Sequence, residues 1–195
     1  MTDLIILAAG ESSRLGRPKQ NLLFNGQTLL QLAVQSGKES ACNNIIVVLG
    51  ANSEEIVPIP GTIALCNRNW KEGMASSIRT AMVEVHNCMN IDKVIIMLCD
   101  QPFVSAALLN ALIDKQTESK QPIVACAYNN TTGVPVLFDR SLFAELLLLQ
   151  GQEGAKTILK NHASDIAAVP FKQGHIDVDT VEDYERLTGT PNPLQ

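Results

Sequence analysis

The sequence predicts an α/β fold in three layers, with a mostly parallel sheet covered by helices on both faces. Three observations carry this. Short apolar runs recur at 4–9, 45–49, 63–66, 94–99, 123–127 and 135–138, each of strand length. Helical segments lie between and after them, so the two kinds of element alternate as parallel crossovers require. The first run breaks directly into a loop of glycines, serines and basic residues, the usual end of a strand that delivers a binding loop.

The elements follow in order. Strand 4–9 comes first, then helix 28–38 and strands 45–49 and 63–66. Helix 74–85 leads into 94–99, a run apolar enough for the centre of the sheet. Helix 106–118 begins behind Ser105, a good N-cap residue. Strands 123–127 and 135–138 and helices 142–149 and 155–161 come next, with the apolar 146–149 run read as a core face. The last helix, 181–187, starts behind Thr180 with Asp183 three residues on, a capping-box pattern. There is no internal repeat and no low-complexity segment. Residues 1–187 read as one domain and 188–195, with two prolines and a glycine, as a flexible tail.

At 195 residues one domain can bury a substantial core. Apolar residues make up 46% and charged residues 18%, the balance of a globular protein. The net charge of −5 argues against nucleic acid as a partner, so any anion must be held by a local basic cluster. The opening apolar run is too short to span a bilayer and no basic leader precedes it, which argues for a cytoplasmic protein without a membrane partner. The five cysteines (42, 66, 88, 99 and 126) are odd in number and include no C-x-x-C pair, which suits a reduced compartment and no zinc. His86, His162 and His175 share no metal-ligand spacing and suit surface or cap positions.

The loop at 10–19 holds two glycines, two serines, two arginines and a lysine. Backbone N–H groups near Gly10 can point at an anion, and Arg14, Arg17 and Lys19 can add charge-assisted hydrogen bonds. Two familiar phosphate motifs are excluded. Gly16 is followed by Arg17 and Pro18 where the P-loop needs Lys and Ser or Thr, and two glycines cannot make the dinucleotide fingerprint. Pro18 keeps the backbone extended at Arg17, so the loop stays open past Gly16.

Binding sites in open α/β sheets form outside the carboxyl ends of the strands. Three segments in that position should meet at one cleft: the cationic loop, residues 67–74 and Asp100-Gln101-Pro102. Asp100 can hold Mg²⁺ against phosphate oxygens, or serve as a turn residue ahead of Pro102. Asp177 and Asp179 alternate with apolar residues, so an extended segment points both the same way. They can complete a metal site with Asp100, or Asp179 can assist the start of the last helix. Asn67, Gly73, Ser76 and Ser77 lie where a helix opens and can hold phosphate. Trp70, the only tryptophan, can anchor that loop in the core or border a ligand.

The run Leu-Ala-Ala-Gly-x-Ser-x-Arg-x-Gly-x-Pro-Lys at 7–19 resembles the opening of the MobA-like NTP transferase superfamily, most closely its molybdenum cofactor cytidylyltransferase type. The resemblance extends to about residue 187 through Cys-Asp-Gln-Pro at 99–102, the Trp70 segment, Gly133-Val134-Pro135, Gly151 to Lys156 and Asp177 to Tyr184. It implies a Rossmann-like nucleotidyltransferase fold and nucleotidyl transfer from an NTP. Leu7, Ala8 and Ala9 would border the base, with Leu-Ala-Ala-Gly pointing to CTP. Gly10, Ser12, Ser13 and Gly16 would cradle phosphates. Lys19 would meet the α-phosphate and Arg14 the leaving pyrophosphate. The metal would be Mg²⁺, or Mn²⁺, on Asp100 with Asp177 and Asp179. Trp70, Met74, Gln101, Pro102, Gly133, Pro135 and Gly154 would face the acceptor. The implied acceptor is molybdopterin or a related phosphorylated compound, with a molybdoenzyme or its chaperone as a further partner. The alternatives are another NTP as donor, a sugar phosphate or small alcohol phosphate as acceptor, and a nucleotide-binding accessory protein without turnover. Two departures stand out: Gln152 replaces the family's usual aspartate, and Val181 stands where proline is common.

Overall fold

The structure, a computed structural model, describes residues 1–86 and 90–189. Cys88 and residues 190–195 of the expected tail lie outside the described residues. Strand β1 (Thr2–Ala8) is buried along its whole length, because it runs mid-sheet with helices on both faces. Its side chains alternate between two cores. Leu4, Ile6 and Ala8 pack on one face, while Ile5 and Leu7 pack on the other.

The remaining elements are β2 (Leu23–Phe24), β3 (Gln27–Thr28), α1 (Leu29–Lys38), β4 (Ile45–Leu49), β5 (Ile63–Cys66), α2 (Met74–His86), β6 (Lys93–Leu98), α3 (Ala106–Ser119), β7 (Ile123–Tyr128), β8 (Thr131–Asp139), α4 (Phe143–Leu148), α5 (Ala155–Asn161), β9 (Ile166–Pro170) and α6 (Val181–Thr188). The seven-stranded sheet runs β5-β4-β1-β6-β8-β7-β9. β1 pairs in parallel with β4 and β6, whereas β8 lies antiparallel to both β6 and β7. Helices α2, α4 and α5 cover the core that contains Phe138 and Phe143, and α1 and α3 cover the other. Burying each such large apolar side chain contributes about 1.5–3 kcal/mol.

Several expected elements are extended or joined by new ones. β8 starts four residues before the expected strand, at Thr131. Asn129 and Asn130, both at positive φ, turn the chain into a tight hairpin that pairs Tyr128 with Thr131. The register then shifts between Ala125 and Cys126, which leaves Pro135 free of the ladder hydrogen bond it cannot donate. β9 is an edge strand whose Ala-rich sequence carries little strand preference, and its parallel pairing with β7 creates it. Asn25 and Gly26, also at positive φ, form the turn of the β2–β3 hairpin, the strongest short hairpin signal in the chain.

The helix starts follow their caps. Thr28 and Gln31 form a capping box on α1, Ser105 accepts from the Leu108 amide on α3, and Thr180 and Asp183 cap α6 reciprocally. α6 runs through Thr188 and ends at Gly189, so it takes in the first residue assigned to the tail. Among the described residues no helix is long and apolar enough to cross a membrane.

A third, smaller apolar cluster positions the site. Leu15, Leu22, Leu29 and Val178 pack together with Val181, Tyr184 and Leu187 of α6. Leu15 belongs to the cationic loop and Val178 to the acidic segment, so this cluster draws opposite charges toward each other. Tyr184 adds a hydrogen bond from its hydroxyl to the Leu23 carbonyl at 2.8 Å, and the Arg17 guanidinium lies over its ring at 5.4 Å.

Candidate functional site

A cleft of about 410 Å³ opens at the carboxyl ends of β1 and β6. Its floor is Leu7, Leu98 and Cys99. The loop after β1 forms one wall with Ala8, Ala9, Gly10, Glu11, Lys19 and Gln20. The opposite wall comes from Trp70, Lys71, Gly73, Met74, Ser77 and Gln152, while Asp100, Asp177 and Asp179 close the end.

The cationic loop owes its shape to local geometry. Ser12 and Gly16 both adopt the left-handed conformation, at φ of 57° and 66°, and bracket a short 3₁₀ turn. Leu15 in that turn is buried and pins the loop to the small core. Ser12 Oγ accepts the Lys19 backbone N–H at 3.1 Å, which closes the loop and turns the lysine inward. Gln20 is fixed behind it, donating from Nε2 to the Ala8 carbonyl at 2.5 Å.

Lys19 is the centre of the site. Its Nζ donates to Asp100 Oδ2 at 2.5 Å and to Asp179 Oδ1 at 2.7 Å. Arg14 at the exposed mouth donates to Asp179 Oδ2 at 3.2 Å. Asp179 is brought there because the Val178 N–H donates to the Asp100 carbonyl at 3.1 Å, which docks the acidic segment on the end of β6. Burial alone would lower the Lys19 amine, but Asp100 foremost, with Cys99 and Asp179, drives it upward and keeps it charged. Burial raises Asp100 above the usual carboxylate range, and Lys19 only partly offsets this while Asp179 and Asp177 add to it. Asp179 goes the other way: burial pushes it up, but Lys19 and then Arg14 hold it below the usual range. The Cys99 thiol is pushed up to about 12, chiefly by burial, so it is an inert apolar lining.

The facing wall is tied together by polar contacts. Asn67 donates from Nδ2 to Ser76 Oγ at 2.8 Å and Ser77 Oγ at 2.9 Å, and Ser76 donates to the Gly73 carbonyl at 2.8 Å. Gly73, at φ 128°, lies against the Gly151 backbone, and the Ala75 N–H donates to the Gly151 carbonyl at 3.2 Å. The Arg79 guanidinium pairs with Glu72 at 2.7 Å and reaches the Leu149 carbonyl at 2.5 Å. These contacts clamp residues 149–154 onto the start of α2. Trp70 packs on the core beneath α2 and also lines the cleft.

Of the nucleotide candidates, Leu7, Ala8, Ala9, Gly10, Lys19, Gly73 and Ser77 line the cleft. Ser12 is used within its loop, Ser13, Arg14 and Gly16 lie exposed beyond the rim, and Asn67 and Ser76 are buried behind the wall. Of the acceptor candidates, Trp70 and Met74 line it. Gln101 is buried, donating to the Val134 and Gly174 carbonyls at 3.3 Å each, and Pro102 follows it away from the cleft. Gly133 lies against the Tyr128 ring and Gly154 against the Met74 sulfur, while Pro135 is buried in β8. Sequence reasoning missed Glu11, Gln20, Lys71, Leu98 and Cys99 as lining residues. Lys71 could have been found from its place in the same segment as Trp70, over whose ring its Nζ lies at 5.4 Å.

The carboxylates fit a divalent cation that shares its coordination with a substrate. Asp100 Oδ1 is buried without a hydrogen-bond partner, an arrangement that is costly unless a cation or donor meets it. Among the described residues no three His, Cys, Asp or Glu side chains converge as a self-sufficient metal site. Magnesium and manganese commonly take one or two carboxylates and complete their shell with phosphate oxygens and water.

The MobA-like NTP transferase domain model matches residues 4–166. Nicotine blue oxidoreductase of Paenarthrobacter nicotinovorans is 28% identical over 197 residues, and purine catabolism protein PucB of Bacillus subtilis is 27% identical over 196, each match covering 94% of both chains. Molybdenum cofactor guanylyltransferase of Rhizobium johnstonii is 26% identical over 142 residues, 73% of this chain and 65% of that protein. Among solved structures, Rv0371c from Mycobacterium tuberculosis superposes with a TM-score of 0.86 at 29% identity over 97% of both chains. Its complex with manganese superposes at 0.81, with 27% identity over 97% of this chain and 98% of that one.

Proposed function

The chain belongs to the MobA-like NTP transferase family, and from that premise we propose that it is a metal-dependent cytidylyltransferase that moves CMP from CTP to molybdopterin and releases pyrophosphate. The observation that carries the reading is the meeting of Lys19, Asp100 and Asp179 at one end of a cleft large enough for a nucleotide. A terminal phosphate oxygen of the acceptor attacks the α-phosphorus, and the bond from that phosphorus to the bridging oxygen of the β-phosphate breaks. Such a reaction needs alignment and charge neutralisation more than a protein nucleophile.

Lys19 supplies positive charge toward the α-phosphate from the inner wall. Arg14 at the mouth takes the leaving pyrophosphate, and Gly10 leaves open space beside the phosphates. Asp100 and Asp179, with Asp177 beside them, hold Mg²⁺ or Mn²⁺. When bound, that cation neutralises charge on phosphate oxygens as a Lewis acid. Manganese gains support from the Rv0371c complex. Ala8 and Ala9 border the base, and the Leu-Ala-Ala-Gly run favours CTP. Molybdopterin is supported by the family resemblance and by the guanylyltransferase relative. Gln152 lies on the cleft wall, where it adds an amide to the acceptor side.

The test is pyrophosphate release from CTP and from GTP, with molybdopterin supplied and Mg²⁺ or Mn²⁺ present. Faster release with CTP is expected. Faster release with GTP would replace the donor. CTP binding without pyrophosphate release from any pterin acceptor would make the chain a nucleotide-binding accessory protein instead.

A further inference from the structure

The Lys19 ammonium occupies the space between the two carboxylates that the proposed function assigns to a metal. Its distances of 2.5 Å to Asp100 and 2.7 Å to Asp179 leave it the direct bridge between them. The amine is well buried, with its side chain 15% exposed against 8% for Asp100. Magnesium coordinates oxygen at about 2.0–2.1 Å, so an ion that bridged Asp100 and Asp179 in place of Lys19 would sit almost against the ammonium, even with Asp100 Oδ1 free to take part. Two like charges that close in a site shielded from water repel strongly.

We infer that Lys19 is a built-in substitute for the metal, and that a divalent cation binds Asp100 and Asp179 only as Lys19 swings out of the bridge. Among the protein's own groups, Lys19 and Arg14 pair with Asp100 and Asp179, with Asp177 beside them. The flexible lysine stem allows the exchange, and the cleft beside it is open. A triphosphate entering the cleft offers the displaced ammonium a new anionic partner and offers the cation further oxygen ligands. Nucleotide and metal binding therefore favour each other, and each raises the affinity for the other by the same factor. The device weakens the binding of free metal until substrate arrives. It rests on the metal role proposed above for these two aspartates.

Mn²⁺ binding, followed by the loss of the free-ion electron paramagnetic resonance signal, tests it without turnover. Lys19→Met in the absence of nucleotide should bind Mn²⁺ about tenfold or more tightly than the unsubstituted protein. Equal or weaker binding overturns the exchange while leaving the metal role in place. Absence of Mn²⁺ binding in both proteins overturns the exchange and the metal role together. A second measurement needs no variant: acetylation of Lys19 by acetic anhydride, read by peptide mass spectrometry, should rise several-fold when Mn²⁺ saturates the site. A Lys19 that stays protected with Mn²⁺ bound overturns the inference, even where Lys19→Met fails to fold.

Discussion

Lys19 Nζ and Asp100 Oδ2 lie 2.5 Å apart although 81 positions separate them in the chain. The contact joins the loop after β1 to the end of β6, the two neighbouring strands at the centre of the sheet. Asp100 therefore has two consequences, one for the shape of the cleft and one for its chemistry.

Asp100→Asn separates them. The amide keeps the volume and can still accept from Lys19, which also keeps Asp179 as a partner. The melting temperature should move by only about 2–4 °C, as a change near 1 kcal/mol does in a chain of this size. If Asp100 holds the cation as proposed, metal-dependent pyrophosphate release should fall by about 100-fold or more, because the amide no longer offers a charged oxygen pair. Undiminished release would remove Asp100 from the reaction.

Ala9 tests the donor. Ala9 lines the cleft with its methyl beside Gly50, in the part proposed for the base. Ala9→Gly enlarges that part by one methyl group, a change worth about 1–3 kcal/mol of discrimination in a close-fitting pocket. The ratio of kcat/KM for GTP to that for CTP should rise by about tenfold. An unchanged ratio would show that the base lies elsewhere.

Gly73 tests the clamp between the cleft walls. Its φ of 128° suits glycine, and a Cβ there would strike the Gly151 carbonyl, which is backbone and cannot swing aside. Gly73→Ala should destabilise the protein by about 1–3 kcal/mol, read from denaturant unfolding. It should also raise KM for nucleotide, since Trp70 and Ser77 sit on either side of it.

His162 gives a pH dependence of stability. The Glu145 carboxylate at 2.7 Å, and then Asp165, holds its imidazole above the usual histidine range against a small opposing effect of burial. The folded value thus exceeds the unfolded value of about 6.5, so the stabilisation is complete below that pH and disappears as pH rises through the folded value. For a partly exposed pair the effect is on the order of 0.5–1 kcal/mol. The difference in melting temperature between the unsubstituted protein and His162→Gln should be largest near about pH 5.5 and vanish near about pH 9. A difference that grows with pH would reverse the sign of this pairing.

Much of the fold is readable from local signals. The apolar run at 45–49 is β4 residue for residue, and 155–161 is α5, because apolar periodicity and caps act over a few residues. β9 was not readable, since Ile-Ala-Ala-Val-Pro becomes a strand only by pairing with β7. The β2–β3 hairpin is legible only in its Asn25-Gly26 turn, because each of its strands is two residues long. In the site, Gly10 and Asp100 stood out because each follows an apolar run, and Lys19 because it closes the cationic loop. Gln20 and Cys99 did not, because their place on the cleft depends on which way a loop residue turns after folding.

By itself, the sequence determined the alternation of strands and helices, the cationic loop behind β1 and the carboxylate behind β6. These depend on side-chain type and spacing, which act between near neighbours. Only the tertiary structure decided that β8 enters the sheet antiparallel, that Gln101 turns away from the cleft into the Val134 and Gly174 carbonyls, and that a single ammonium bridges Asp100 and Asp179. Those outcomes rest on contacts between distant segments, where packing of Leu15 against Val178 and the burial of charge choose the partner.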